Sequence, residues 1–100
     1  MPHAQRREAW DLLLVCWLNE AQCWLKMEQW KRAEKICTDV LKHDAKSIKA
    51  LFRRAAAYIR MDEVAKAKED LQQARRLDPT CREVTELLRA CLQEESDARR

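Results

Sequence analysis

The sequence predicts an all-α solenoid: two helix–turn–helix repeats followed by a capping helix. Two observations carry that reading. The 100-residue chain has no glycine and only two prolines, Pro2 and Pro79, while Ala, Leu, Lys, Arg, Glu and Gln, all strong helix formers, dominate it. Without glycine, tight hairpins and phosphate-cradling loops lose their usual building block. The second observation is a repeat. Residues 18–27, LNEAQCWLKM, return as residues 52–61, FRRAAAYIRM, at an offset of 34. The echo extends from Ala33 to Ala67, from Cys37 to Leu71, and from Asp44-Ala45 to Asp78-Pro79. A fixed period of that length marks stacked helix pairs.

The first helix is expected over residues 4–27, with Trp10, Leu13, Leu14, Trp17, Ala21, Trp24 and Leu25 at helical spacing. Glu28-Gln29 makes a turn. The second helix spans about residues 30–43 and buries Trp30, Ala33, Ile36, Cys37, Val40 and Leu41. Ser47 is the expected N-cap of the third, which runs to about Met61. After Asp62 the fourth presents Val64, Ala67, Leu71, Ala74 and Leu77 inward, and Pro79 stops it because proline cannot continue the hydrogen-bond ladder. Thr80 and Glu83 have capping-box spacing for a fifth helix, whose stripe is Val84, Leu87, Leu88, Cys91 and Leu92. The units are thus one domain with repeats at about 14–47 and 48–81 and a capping helix at about 80–95. Ala21, Ala33, Ala55 and Ala67 keep the 34-residue period, as needed where two helices approach closely.

Composition narrows the function. A net charge of +3 with both signs interspersed describes a solvated surface and does not suggest a nucleic-acid binder. Arg53, Arg54, Arg60, Arg75 and Arg76 are expected on different helix faces. The apolar run at residues 12–18 is too short to span a bilayer and has no small-residue cleavage site, so neither a membrane span nor a signal peptide is expected. Five cysteines without C-x-x-C spacing favour reduced thiols and a cytoplasmic location over a disulfide framework or zinc site, with Cys23 and Cys37 acting as buried hydrophobes. His3 and His43 stand apart, and no nucleophile-elbow, Walker or H-E-x-x-H motif occurs. Catalytic residues, metal ligands and cofactors are therefore not expected.

The stretches LNEAQCWLKMEQWKRAEKICTDVLKHD and SIKALFRRAAAYIRMDEVAKAKEDLQQARRLDP resemble the tetratricopeptide repeat (TPR) family. They are especially similar to the repeats of immunophilins, meaning FKBP- and cyclophilin-type prolyl isomerases and their aryl-hydrocarbon-receptor-interacting relatives. The resemblance covers about residues 14–95. It implies a TPR-like α-solenoid acting as a co-chaperone adaptor. A subset of such domains grips the acidic C-terminus of heat-shock protein 90 or 70, ending Glu-Glu-Val-Asp, through a carboxylate clamp. On that pattern Asn19 matches the Asn of the second family repeat, and Lys49 and Arg53 match the Lys and Arg of the third. Gln22 falls where related grooves offer an apolar contact, and Glu20 takes a position usually apolar. The two clamp residues of the family's first repeat have no counterpart in this chain. A prolyl isomerase domain often accompanies such repeats, but none lies in these residues, so no activity is inherited from it.

Residue chemistry agrees with the implied clamp. Lys49 and Arg53 are i, i+4 and share a helix face, and Asn19 lies one repeat earlier on the equivalent face. The alternative is a scaffold or oligomerisation module of the same fold. Two repeats and a cap leave the first helix uncovered, which predicts self-association through Trp10, Leu13 and Leu14. Glu20 is expected to pair with a neighbouring basic side chain.

Overall fold

The computed structural model describes the backbone of residues 3–98 and the side chains of residues 11–93. Five helices follow one another: α1 (His3–Lys26), α2 (Trp30–His43), α3 (Ile48–Arg60), α4 (Val64–Leu77) and α5 (Arg82–Ala98). No strand occurs among the described residues. Each helix packs on the next, and α1 also touches α3. The leading helices α1 and α3 therefore lie side by side, with α2 and α4 behind them. A radius of gyration of 14.7 Å exceeds the about 13 Å of a round 100-residue domain, as stacking along one axis requires.

The recurring alanines do what their period predicts. Ala21, Ala33, Ala55 and Ala67 are all fully buried, each at a contact too close for a larger side chain. Around Ala21 one core cluster gathers Cys37, Val40 and Ala50, with Leu14, Trp17, Leu18 and Ile36 packed against it. The larger cluster joins Leu51, Ala55 and Tyr58 of α3 to Leu71 and Ala74 of α4, and α5 closes it with Val84, Leu88 and Cys91. Leu41 packs against both clusters, so the two repeats share a continuous interior. Lys42 and His43 end α2, and Arg75 and Arg76 end α4, cations suited to the negative end of a helix dipole.

The turns inside each repeat are built alike. Gln29 N–H donates to the Trp24 carbonyl at 2.8 Å, and Glu63 N–H to the Tyr58 carbonyl at 2.8 Å. These are Schellman closures, which place the residue before the donor in the left-handed region. Glu28 has φ 60° and Asp62 has φ 61°, so the 34-residue echo includes backbone strain that glycine would relieve. Between repeats, Ser47 caps α3 as expected: its hydroxyl accepts from Ala50 N–H at 3.2 Å.

Four expectations are corrected. Thr80 does not start α5. Its hydroxyl donates to Asp78 Oδ1 at 2.5 Å and its N–H donates to the same oxygen at 3.0 Å. That local turn holds Thr80 outside the helix, and the Cys81 carbonyl accepts the first helical bond from Thr85 N–H at 3.2 Å. Cys23 is exposed, because it faces away from the α2 contact that buries Ala21. Leu92 is also exposed, at the rim of an open hollow that it shares with Gln72, Arg75 and Arg76 of α4. Leu14 is half-buried against the first core cluster, so the uncovered apolar side chains of α1 are Leu12, Leu13 and Val15. Trp10 lies outside the residues whose side chains are described.

Candidate functional site

The leading helices and the start of α5 enclose a groove of about 750 Å³. Helical spacing places Lys49 and Arg53 one turn apart on α3, and both line it. Gln22 reaches the same groove from α1. Its apolar floor comes from Ile48, Phe52, Cys81 and Val84, and Asp78, Arg82 and Glu83 form the side toward α5. Three of the four residues expected at a binding site thus converge from two repeats. Asn19 is exposed on α1 and is not part of the groove lining; it lies beside Leu18, one turn before Gln22.

Arg53 is held in a way the sequence did not reveal. Its Nη1 donates to the Leu18 carbonyl at 2.7 Å, joining α3 to α1. That bond fixes the guanidinium at the seam between repeats and leaves Nε and Nη2 to meet a ligand carboxylate. Lys49 is exposed and can swing over the groove mouth. At the other wall, the Thr80 hydroxyl and N–H bonded to Asp78 hold its carboxyl below the usual carboxylate range. Asp78 therefore stays anionic wherever the groove operates.

Arg54, one residue on, faces elsewhere. A step of about 100° around the helix turns it away from the groove and toward α2 and α4. Its Nε and Nη2 donate to the two oxygens of Asp70 at 2.7 and 2.6 Å, and Nη1 donates to Thr38 Oγ1 at 3.2 Å. Asp70 is 6% exposed, the only buried charged residue among those described. The Asp70 bond is the main cause raising the Arg54 pKa. Beside it, Tyr58 hydroxyl donates to Glu34 Oε1 at 3.0 Å, and burial pushes the phenol up to about 12. Burial likewise pushes the Cys37 thiol up to about 12, which makes it a poor nucleophile.

The remaining polar expectations resolve locally. Glu20 pairs with no basic group among the described residues; Trp24 Nε1 donates to its carboxylate at 3.4 Å. Arg60 lies over the Trp30 ring at 5.5 Å and Arg32 over Trp24 at 4.7 Å, so these arginines serve aromatic contacts. Among the described residues no group of three or more His, Cys, Asp or Glu is placed to hold a metal. No described helix is long and apolar enough to cross a membrane.

Known proteins share this fold. The FKBP42 peptidyl-prolyl isomerase of Arabidopsis thaliana is 32% identical over 80 residues, which cover 80% of this chain and 22% of that protein. The structure of the myosin chaperone UNC-45 from C. elegans, in complex with an Hsp90 peptide, superposes with a TM-score of 0.82 at 32% identity. It matches 91% of this chain and 10% of its own. The first TPR domain of Spaghetti (RPAP3), bound to the Hsp90 peptide SRMEEVD, superposes with a TM-score of 0.80 at 26% identity, covering 83% of this chain and 66% of that one. This chain spans only about a tenth to a fifth of the length of the first two proteins. The tetratricopeptide repeat pattern itself matches residues 24–91, from the end of α1 into α5. With the period, the buried alanines and the paired turns all in register, the chain belongs to the tetratricopeptide repeat family.

Proposed function

We propose that this chain is a cytoplasmic protein-interaction adaptor whose groove binds the acidic C-terminal peptide of a heat-shock protein 90 or 70 chaperone. The observation that carries the reading is the convergence of Gln22, Lys49 and Arg53, from two repeats, on one groove of about 750 Å³. Lys49 and the outer edge of Arg53 supply charge-assisted donors to the terminal carboxylate and an acidic side chain. Gln22 adds an amide donor from α1. The apolar floor around Phe52 takes an aliphatic side chain between the acidic ones. Relatives seen with Hsp90 peptides support the same ligand class.

Titrating SRMEEVD and following heat or tryptophan fluorescence tests the proposal. Micromolar binding, about −8 kcal/mol, is expected. Lys49→Ala should weaken it about tenfold or more, since a hydrogen bond to a charged group is worth roughly 1.5–3 kcal/mol. Lys49 is the cleaner test than Arg53, whose removal also cuts the bond to Leu18. An amidated peptide C-terminus should fail to bind. No binding of the free acid at millimolar concentration would overturn the proposal.

The exposed Leu12, Leu13 and Val15 favour a second reading, in which the same fold is an oligomerisation module joined through α1.

A further inference from the structure

The groove does not end at Val84. A second hollow of about 350 Å³ opens beside it, lined by Phe52, Glu83, Glu86, Leu87 and Ala90. Phe52 and Glu83 line both hollows, so the two form one channel that crosses α3 and continues along α5. Spacings of three, four and seven residues put Glu83, Glu86, Leu87 and Ala90 on a single face of α5.

The channel is electrically polar. Lys49 and Arg53 stand at the α1–α3 end. In the middle, Arg82 and Asp78 oppose one another in sign. In the second hollow the only charged lining residues are Glu83 and Glu86. Both are exposed, and neither has an ion-pair partner among the described residues. Glu83 suits the N-terminal dipole of α5, but Glu86 is a turn further on, where that effect has faded. Beside the two carboxylates, half-buried Leu87 and exposed Ala90 offer an apolar shelf.

From Lys49 and Arg53 the lining runs on over Phe52 toward α5, the path followed by a peptide whose terminal carboxylate these two residues hold. Neighbouring helices lie about 8–10 Å apart, the second hollow runs a further ~10 Å along α5 from Glu83 to Ala90, and an extended chain advances about 3.3 Å per residue, so this hollow takes the residues roughly three to six before the carboxylate. We infer that Glu83 and Glu86 select a lysine or arginine at that upstream position. The aliphatic stem lies on Leu87 and Ala90, and the cationic head meets the two carboxylates. This deepens the proposed function and rests on it: the preferred ligand is an acidic C-terminus preceded by a basic residue.

Three peptides, SRMEEVD, SAMEEVD and SEMEEVD, titrated against the wild-type chain, Glu83→Gln/Glu86→Gln and Glu86→Lys, test the inference. For wild type, replacing the Arg by Ala should weaken binding about threefold to fivefold, the scale of a partly exposed ion pair, and Glu should weaken it further. The double Gln variant should bind SRMEEVD and SAMEEVD equally, and Glu86→Lys should bind SEMEEVD better than wild type does. These exposed positions leave the core intact, so circular dichroism should be unchanged. Equal binding of SRMEEVD and SAMEEVD by wild type would overturn this inference while leaving the proposed function standing. If no peptide binds, the proposed function fails and this inference fails with it.

Discussion

Arg53 and Arg54 are neighbours in sequence with opposite employments. One edges an open groove; the other is locked between three helices by Asp70 and Thr38. Removing Asp70 would leave the Arg54 charge without its partner in a half-buried site. Asp70→Ala should therefore lower stability by about 3 kcal/mol, measured by urea unfolding. The joint replacement Arg54→Met/Asp70→Leu should cost much less, because no lone charge remains. Tyr58 provides a second test. It is the single tyrosine in the chain, so absorbance titration reports it alone. The folded state holds its proton up to about 12, above the about 10 of an unfolded tyrosine. Its contribution to stability is thus intact below pH 10 and is lost as pH rises toward 12; Glu34→Gln should move the titration down. A tyrosinate signal with its midpoint near pH 10 in the folded protein would contradict this. None of this network is legible in the sequence. It links Glu34, Thr38, Arg54, Tyr58 and Asp70 across α2, α3 and α4, and only the register between repeats brings them together. Lys49 and Arg53 were legible as a pair because i, i+4 spacing needs nothing but one helix.

Elements were readable where they rested on period and misread where a local polar contact intervened. The end of α1 and both ends of α2 return in α3 and α4 at the 34-residue offset, while α1 begins about three turns earlier than the echo of α3. The start of α5 does not, because Asp78 captures both the hydroxyl and the N–H of Thr80 before a capping box can form. The turns after α1 and α3 carry the least expected feature. Both require a left-handed residue, and a chain without glycine fills the positions with Glu28 and Asp62. A left-handed conformation disfavours a residue with a Cβ by roughly 1–2 kcal/mol, partly offset by the extra freedom glycine gives the unfolded chain. Glu28→Gly and Asp62→Gly should each raise stability by about 0.5–1 kcal/mol, read from the urea midpoint at constant slope. Destabilisation by either would show that the side chain at that turn has a role the backbone angle conceals.

At the scale of the molecule, two repeats and a cap make a short solenoid with unequal ends. The α5 end closes the larger core cluster with Val84, Leu88 and Cys91, while α1 leaves Leu12 67% and Val15 52% exposed. If that end joins copies, light scattering after size exclusion should show dimers that Leu12→Lys/Val15→Lys returns to monomers; a wild-type monomer at micromolar concentration would refute it. The need for a covering surface was visible in the count of repeats, and Leu13 is exposed as expected, whereas Leu14 turns inward. The bond from Arg53 to the Leu18 carbonyl has a wider meaning here. Consecutive repeats can tilt about their shared seam, and this guanidinium is a strut across it. The group offered to a ligand and the tie between the repeats are therefore one side chain, Arg53.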